Sequence, residues 1–543
     1  MKKRILMVGE SSHLKSGFGN YTREILSRLY QTNKYEIAEL SSYRTIETPK
    51  TEPWIIYPAA VSPNHPLYHE FTANPSNQYG QWRFEFALLD FKPHIVFDVR
   101  DFWNYTFEEI SPLRPFYHWI ITPAYDSAPQ RIDSINTFKN ADFVLFHTNW
   151  AKNNLINNYQ YNINNLMGIA NDAVDSNIYR PLGYNKKFHK IKHGIDQNAF
   201  VIGTVMRNQK RKLLPDIIKV FSELVRKNSN KKIFLYLHTS FPDALGWDIP
   251  ALLLEHNISN NVLLTYRCIK CQQYTASVYK GIKKICHSCK NLTSHICSPQ
   301  NGLTDSELNE IYNLFDTYIQ YAICEGFGIP PIEAAAAGIP VVTVNHEAMG
   351  EIGKNIGAFL VNTSHIFREQ ETNADRCYPD NNHCLEILQS LIDMPITELN
   401  SIGKNTRSKL LNTYSWDKTA KVYEDLFDQI DINKKLNWNS AMRSVDIKYS
   451  VQNVASNRDF IYDIIDNVIK EPDLKSTNFI QEMIKSLDDS IVMDGLKSVG
   501  FERQSAIKVL EIYANNKNTM ELIRTSTIQM PIKNTDFLNY SKK

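Results

Sequence analysis

The sequence predicts an α/β protein of two doubly wound domains in tandem, with two additions. Three observations carry this expectation. Short apolar runs without alternation recur along the chain between amphipathic stretches, the pattern of parallel strands covered by helices on both faces. The rhythm breaks at the turn-rich stretch NDAVDSNIYRPLGYNKKFHK around Pro181, and then restarts. The chain has 543 residues, too many for one ordinary core.

The first series gives an N-terminal domain at 1–180. RILMVGE reads as its first strand and NYTREILSRLY as a helix with Ile25, Leu26 and Leu29 on one face. HIVFDVRD, FYHWIIT and DFVLFHT are further strands. The second series gives a domain at 181–414. It starts with the strand FVIGTVMR and the helix LLPDIIKVFSELVRK, followed by the strands KIFLYLHT, NVLLT, TYIQYA, PVVTV and AFLV. Thr304 and Glu307 have capping-box spacing at the head of a helix. Ser415 is placed to cap WDKTAKVYEDLFDQI, a helix within 415–436. The tail, 437–543, is polar and helical in pattern. Phe479, Ile480, Met483, Ile484 and Leu487 form its one apolar stripe, which would pack on its own domain or on a second copy of the chain.

Hydrophobic residues make up 43% and charged residues 22%, ordinary for a soluble globular protein. The net charge of +2 offers no electrostatic case for nucleic acid as an obligatory partner. No apolar run is long enough to span a bilayer, and the opening residues read as a buried strand rather than a signal peptide. The expected location is therefore cytoplasmic.

Ligands of open α/β sheets bind at the carboxyl ends of strands, so the loops there decide the chemistry. After the first strand, KSGFGNYT places Gly17 and Gly19 at the mouth of a helix, where bare backbone and the helix N-terminus favour a phosphate. After the first strand of the second domain, RNQKRK offers Arg207, Lys210, Arg211 and Lys212 to a diphosphate. After TYIQYA comes CEGFGIPPIEAAAAGIPVV. Pro331 fits the first helical position and Gly338 a C-cap. Glu325 and Glu333 then look into one crevice past Gly326, Phe327 and Gly328, and carboxylates suit a hydroxyl-rich ligand. In the first domain, Asp126 lies just beyond a strand, where it could position an acceptor hydroxyl or a donor sugar.

These motifs, in this order, resemble the retaining glycosyltransferases of family 4, which have the GT-B fold. The resemblance covers roughly 1–430. EGFGIPPIEAAAAGIPVV is similar to the family's E-x7-E signature, GFGNYTREIL to its N-terminal glycine loop, and AVDSNIYRP to its linker through Val174, Asp175, Tyr179 and Pro181. GTVMRNQKRK is similar to its cationic loop through Arg207 and Lys212. The resemblance implies that Glu333 binds the ribose of a nucleotide-diphosphate sugar, UDP- or GDP-linked, and that Glu325 binds the transferred sugar. Arg207 and Lys212 neutralise the leaving diphosphate. Gly326 to Ile329 line the sugar and phosphate subsite, and Gly17 to Gly19 face the diphosphate from the other domain. The implied reaction moves the sugar, with retention, to a hydroxyl-bearing acceptor in the interdomain cleft. No D-x-D motif for a catalytic divalent metal is present, and the fold implies none is needed. One departure stands out: Tyr125 occupies the place where many family members carry a histidine. His118 and His147, nearby, read as structural.

Between NVLLT and TDSELNEIYNLF the chain carries an insert, 266–298, that typical members of that family lack. Cys268-x2-Cys271 and Cys286-x2-Cys289 have the spacing of a zinc ribbon. Four cysteine ligands leave no open position, so the zinc is expected to be structural. The Lys-rich flank of the insert keeps two alternatives in view. One is a glycosyltransferase acting on a nucleic-acid base, which the balanced charge does not favour. The other is a non-catalytic scaffold, which the intact glutamate pair argues against.

Overall fold

The computed structural model describes residues 2–111, 113–159, 165–183 and 185–438. The apolar stripe expected within the tail lies outside the described residues. Two sheets organise the chain. The first contains β1 (Lys3–Glu10), β2 (Tyr35–Thr45), β3 (Ile55–Ala60), β4 (Ile95–Asp98), β5 (His118–Ile121), β6 (Phe143–Phe146) and β7 (Leu166–Ile169). All are parallel, in the order β3-β2-β1-β4-β5-β6-β7.

The second sheet contains β8 (Phe200–Val205), β9 (Ile233–His238), β10 (Val262–Cys268), β11 (Tyr274–Val278), β12 (Lys283–Lys284), β13 (Ser294–Ile296), β14 (Thr317–Gln320), β15 (Val341–Val344) and β16 (Phe359–Val361). Its parallel part runs β10-β9-β8-β14-β15-β16. Counted from its own first strand, this is the same 3-2-1-4-5-6 order as in the first sheet. Both sheets therefore reverse direction beside their first strand, and each reversal opens a crevice at the strands' carboxyl ends. A hairpin of β17 (Thr363–Arg368) and β18 (Asp375–Pro379) follows.

The apolar runs are buried on both faces, as parallel strands require. Ile5 and Met7 pack on one side of the first sheet, Leu6 and Val8 on the other, and all are fully buried. The helix Gly17–Gln31 covers the first face with Tyr21, Ile25, Leu26 and Leu29. It shares that face with the helix Trp416–Gln429, which comes back from the second domain. Tyr423 of that helix sits between Tyr21 (hydroxyls 3.1 Å apart) and Thr122 (2.7 Å). Lys3 Nζ donates to the Phe427 carbonyl at 2.6 Å. Ser415 stands at the N-cap but makes no capping bond, whereas Thr304 and Glu307 form the complete capping box.

The cysteine insert is continuous with the second sheet. β10 runs past the end of β9 to Cys268, and β11 and β13 pair with it antiparallel. Four residues of β10 beyond Leu264, the last to pair with β9, extend roughly 13 Å further on the carboxyl side.

Candidate active site

The reversal of the second sheet lies between β8 and β14, so the loops after these strands face each other. They are stitched together: Ile323 N–H donates to the Arg211 carbonyl at 2.9 Å, and Arg211 Nη1 to the Cys324 carbonyl at 3.0 Å. Residues Lys210–Lys212 form one 3-10 turn, and a left-handed Leu213 then starts the helix Leu214–Lys227. That geometry aims the cations at the β14 loop.

Glu325 is the centre of the arrangement, with 7% of its side chain exposed. Lys212, equally buried, donates to its Oε1; Arg211 Nη1 lies 2.9 Å from Oε2; Gln320 Nε2 donates to Oε1 at 3.0 Å. Burial alone would raise the carboxyl, but Arg211 and Lys212 outweigh it and hold it at about 2. Glu325 is thus an anion at any physiological pH.

The helix carrying Glu333 runs from Ile329 to Ala336, two residues earlier than Pro331 at its start would place it. Gly328, at φ 91°, turns the chain into it. Glu333 points inward to Tyr312, whose hydroxyl donates to Oε2 at 2.7 Å. Burial pushes this carboxyl up to about 7, against the Tyr312 and Tyr179 hydroxyls, which lower it. Tyr179 comes from the linker between the domains. The two glutamates of one loop-helix therefore sit in opposite electrostatic states.

The first domain meets this loop directly. A side-chain carbon at Gly17 would stand 3.3 Å from Ile329 Cδ1, and one at Gly326 would stand 3.6 Å from Ala124 Cβ. Gly19 is required where it is, since a Cβ there would fall 2.8 Å from the Leu14 carbonyl oxygen and 2.9 Å from that of Ser11. Ser16 caps the helix by accepting from Gly19 N–H at 3.1 Å. The Phe327 side chain is buried and packs edge-on against Tyr414.

Asp126 lies at the mouth of the cleft, where Arg376 Nη1 of β18 approaches its Oδ1 at 3.4 Å. Cys324 Sγ is 3.5 Å from its other oxygen. Arg207 stands apart, 60% exposed, with Nε 3.4 Å from Asp243. Tyr125 turns away from the cleft: its hydroxyl donates to Asn154 at 2.7 Å and its ring packs on Phe146 and Trp150. It does not stand in for a cleft histidine. His118 bonds the Asp431 carbonyl at 3.0 Å, and His147 lies 3.2 Å from Asp172.

Three cleft groups escape sequence reasoning. Asp101 follows β4 and is raised to about 7 by burial and by Asp126. Glu347 is raised to about 9 by burial and by Asp126. Arg376 lies on a hairpin that no motif marks. A cavity of about 470 Å³, lined by His13, Arg23, Tyr30, Glu52 and Trp54 among others, lies in the first domain beside the helix Gly17–Gln31. It includes neither Glu325 nor Glu333; the opposed charges converge at the cleft loops instead.

The four cysteine sulfurs come together at the end of β10. Cys268 and Cys289 Sγ are 3.7 Å apart, and Cys271 and Cys286 Sγ 3.6 Å. A tetrahedron with metal–sulfur bonds of about 2.3 Å has edges of about 3.8 Å, so the spacing fits zinc and no disulfide joins the pairs. Hydrogen bonds from the Asn291 backbone and the Thr293 hydroxyl lower the Cys289 thiol, while the neighbouring cysteines push Cys271 up to about 11. His189, His193 and Glu310 also cluster, but Glu310 is already engaged by Tyr274 at 2.7 Å and Lys192 at 3.2 Å. Among the described residues no helix is long and apolar enough to cross a membrane.

Residues 279–365, which hold both glutamates, match the sequence family described as Glycosyl transferases group 1. A curated relative, the MMP alpha-(1->4)-mannosyltransferase of Mycolicibacterium hassiacum, is 28% identical over 137 residues. That match covers 24% of this chain and 29% of the relative's length. Among solved structures, sucrose-phosphate synthase from Thermosynechococcus elongatus aligns with TM-score 0.56 at 13% identity, covering 79% of this chain and 99% of that one. Anabaena Alr3699/HepE, solved in complex with UDP and glucose, aligns with TM-score 0.54 at 10% identity, covering 79% and 100%. The fold is the two-domain α/β architecture of GT-B proteins, and the matched segment and the curated relative are those of glycosyltransferases.

Proposed function

We propose that the protein is a retaining glycosyltransferase that moves a sugar from a nucleotide-diphosphate sugar to an acceptor hydroxyl. The observation that carries this reading is the pair of glutamates at one sheet reversal, one ionised between two cations and one protonatable beside tyrosines. Glu325 binds the transferred sugar and Glu333 the ribose. Lys212, with Arg211 beside it and Arg207 at the rim, takes the diphosphate. Without donor, Glu325 engages both the buried Lys212 and the partly exposed Arg211 and offsets one of their two charges; the diphosphate competes with it for them on arrival. Breaking the glycosidic bond builds negative charge on the leaving diphosphate, and fixed cations in a closed cleft stabilise it most. The N-terminus of the helix Leu214–Lys227 adds its dipole. Asp126, on the first-domain side, positions the acceptor hydroxyl or the donor sugar. The four-cysteine cluster holds a structural zinc that fixes the far end of β10 and takes no part in the reaction.

The test is a thermal-shift screen against UDP-, GDP-, ADP- and dTDP-sugars, since a ligand well above its Kd raises the melting temperature. UDP-glucose heads the screen, because the Anabaena neighbour is described with UDP and glucose. A donor found this way is then followed by NMR for release of its sugar and for the anomer of the product. No shift with any of the four nucleotides, or an inverted anomer, contradicts the reading.

A further inference from the structure

The insert 266–298 contains Arg267, Lys270, Lys280, Lys283, Lys284 and Lys290 and no Asp or Glu. The rest of the chain has four more acids than bases. Two of the six cations are occupied: Arg267 pairs with Glu307 at 3.4 Å, and Lys284 lies over the Tyr266 ring at 4.6 Å. Lys270, Lys280, Lys283 and Lys290 are exposed and form no ion pair among the described residues. Zinc held by four thiolates would contribute a formal charge of −2, which these lysines outnumber.

The same tip exposes aliphatic side chains. Ile269, Ile282, Ile285 and Leu292 are 53%, 47%, 64% and 54% exposed. Ile269 N–H bonds the Thr293 carbonyl at 2.9 Å, which sets the loop of Ile269 and Lys270 beside that of Lys290 and Leu292. Lysines interleaved with exposed aliphatics, with His287 as the one exposed aromatic ring among the described residues of the insert, offer little for stacking on successive nucleobases. They suit a surface that is anionic outside and apolar just beneath, which is a lipid headgroup layer. β10 carries this tip beyond the sheet on the carboxyl side, the side on which the cleft opens.

We propose that the insert tip docks the protein on an anionic lipid bilayer, lysines on the headgroups and aliphatics in the layer below. The proposal does not depend on the catalytic reading. Each lysine near such a surface is worth about five-fold in partitioning. The experiment is co-sedimentation of the full zinc-loaded chain with vesicles of neutral phosphatidylcholine or with 30% phosphatidylglycerol added. Binding is expected with the anionic vesicles alone, falling steeply with salt. Lys270→Glu with Lys290→Glu is expected to weaken it at least ten-fold. Ile269→Ser with Ile285→Ser is expected to weaken it at least three-fold. Unchanged zinc content and melting temperature in the variants show that the ribbon is intact. No sedimentation with anionic vesicles overturns the proposal. So does binding that ignores the isoleucine changes and is matched by a random-sequence RNA of equal charge, which would make the tip a polyanion site instead.

Discussion

Arg211 Nη1 stands 2.9 Å from Glu325 Oε2, so this carboxylate of the signature is tied to the loop after β8 before any ligand arrives. Lys212 holds the other oxygen, and the group is buried.

That arrangement separates two cations that a motif treats alike. Lys212→Ala strips a charged hydrogen bond from a buried carboxylate that keeps Arg211 as its counter-charge, so it should cost about 2 kcal/mol of stability. Arg207→Ala should stay within about 0.5 kcal/mol, because its partner contact is exposed. Both should weaken the response to donor. Urea unfolding and donor thermal shift on the two variants check this; equal stabilities would contradict the buried pairing.

Glu333 predicts a pH dependence. Its carboxyl is raised to about 7, so the ionised form that accepts ribose hydroxyls is present only above that pH. Nucleotide affinity should rise about ten-fold from pH 6 to pH 8, and Glu333→Gln should bind weakly with no such slope. Stability moves the other way. Between about pH 4.5 and 7 the folded chain keeps a proton that the unfolded chain releases, so stability falls as pH rises, and Glu333→Gln removes that component. Calorimetric titration and melting at four pH values measure both.

The sulfur tetrahedron predicts one zinc per chain by elemental analysis. Cys286→Ser with Cys289→Ser should lose it and lower the melting temperature. The first half of β10, Val262–Leu264, still pairs with β9, so circular dichroism should keep the α/β signature. A metal content near zero in the wild type would remove the site.

The approach of Gly17 to Ile329 predicts a graded effect of side-chain size. Gly17→Ala places one carbon in tight contact at 3.3 Å and should be nearly neutral. Gly17→Leu should wedge the cleft and lower turnover at least ten-fold with little change in stability. Steady-state kinetics with the best donor decides it.

Much of this was legible in the sequence wherever one principle acts alone. The strands around Leu6, Ile202 and Val342 are mostly apolar and do not alternate, because helices cover both their faces. The cysteine cluster followed from ligand spacing. β2 gives no such signal: Glu39 lies in its middle, fully buried, and takes bonds from Ser12 Oγ at 2.7 Å and Trp54 Nε1 at 2.8 Å. A strand whose interior carries a carboxylate and serines does not read as core until its partners are placed. Spacing could not separate Arg207 from Arg211 either, since a 3-10 turn and a left-handed Leu213 decide which of them turns inward. Tyr179 reads as a linker residue by motif, and only packing brings it to Glu333. Asp101 and Arg376 owe their place in the cleft to tertiary contacts alone.

The helix Trp416–Gln429 fills the first domain's own core, and Trp438 stacks on Phe116 at 4.8 Å between ring centroids. On the ribosome, the amino-terminal half is therefore born with a gap. Tyr21 and Phe97 stay without their covering ring until more than two hundred further residues have emerged. The order of synthesis and the order of folding must part company here: the second domain can close on itself first, and the first is sealed last by the strap that follows it.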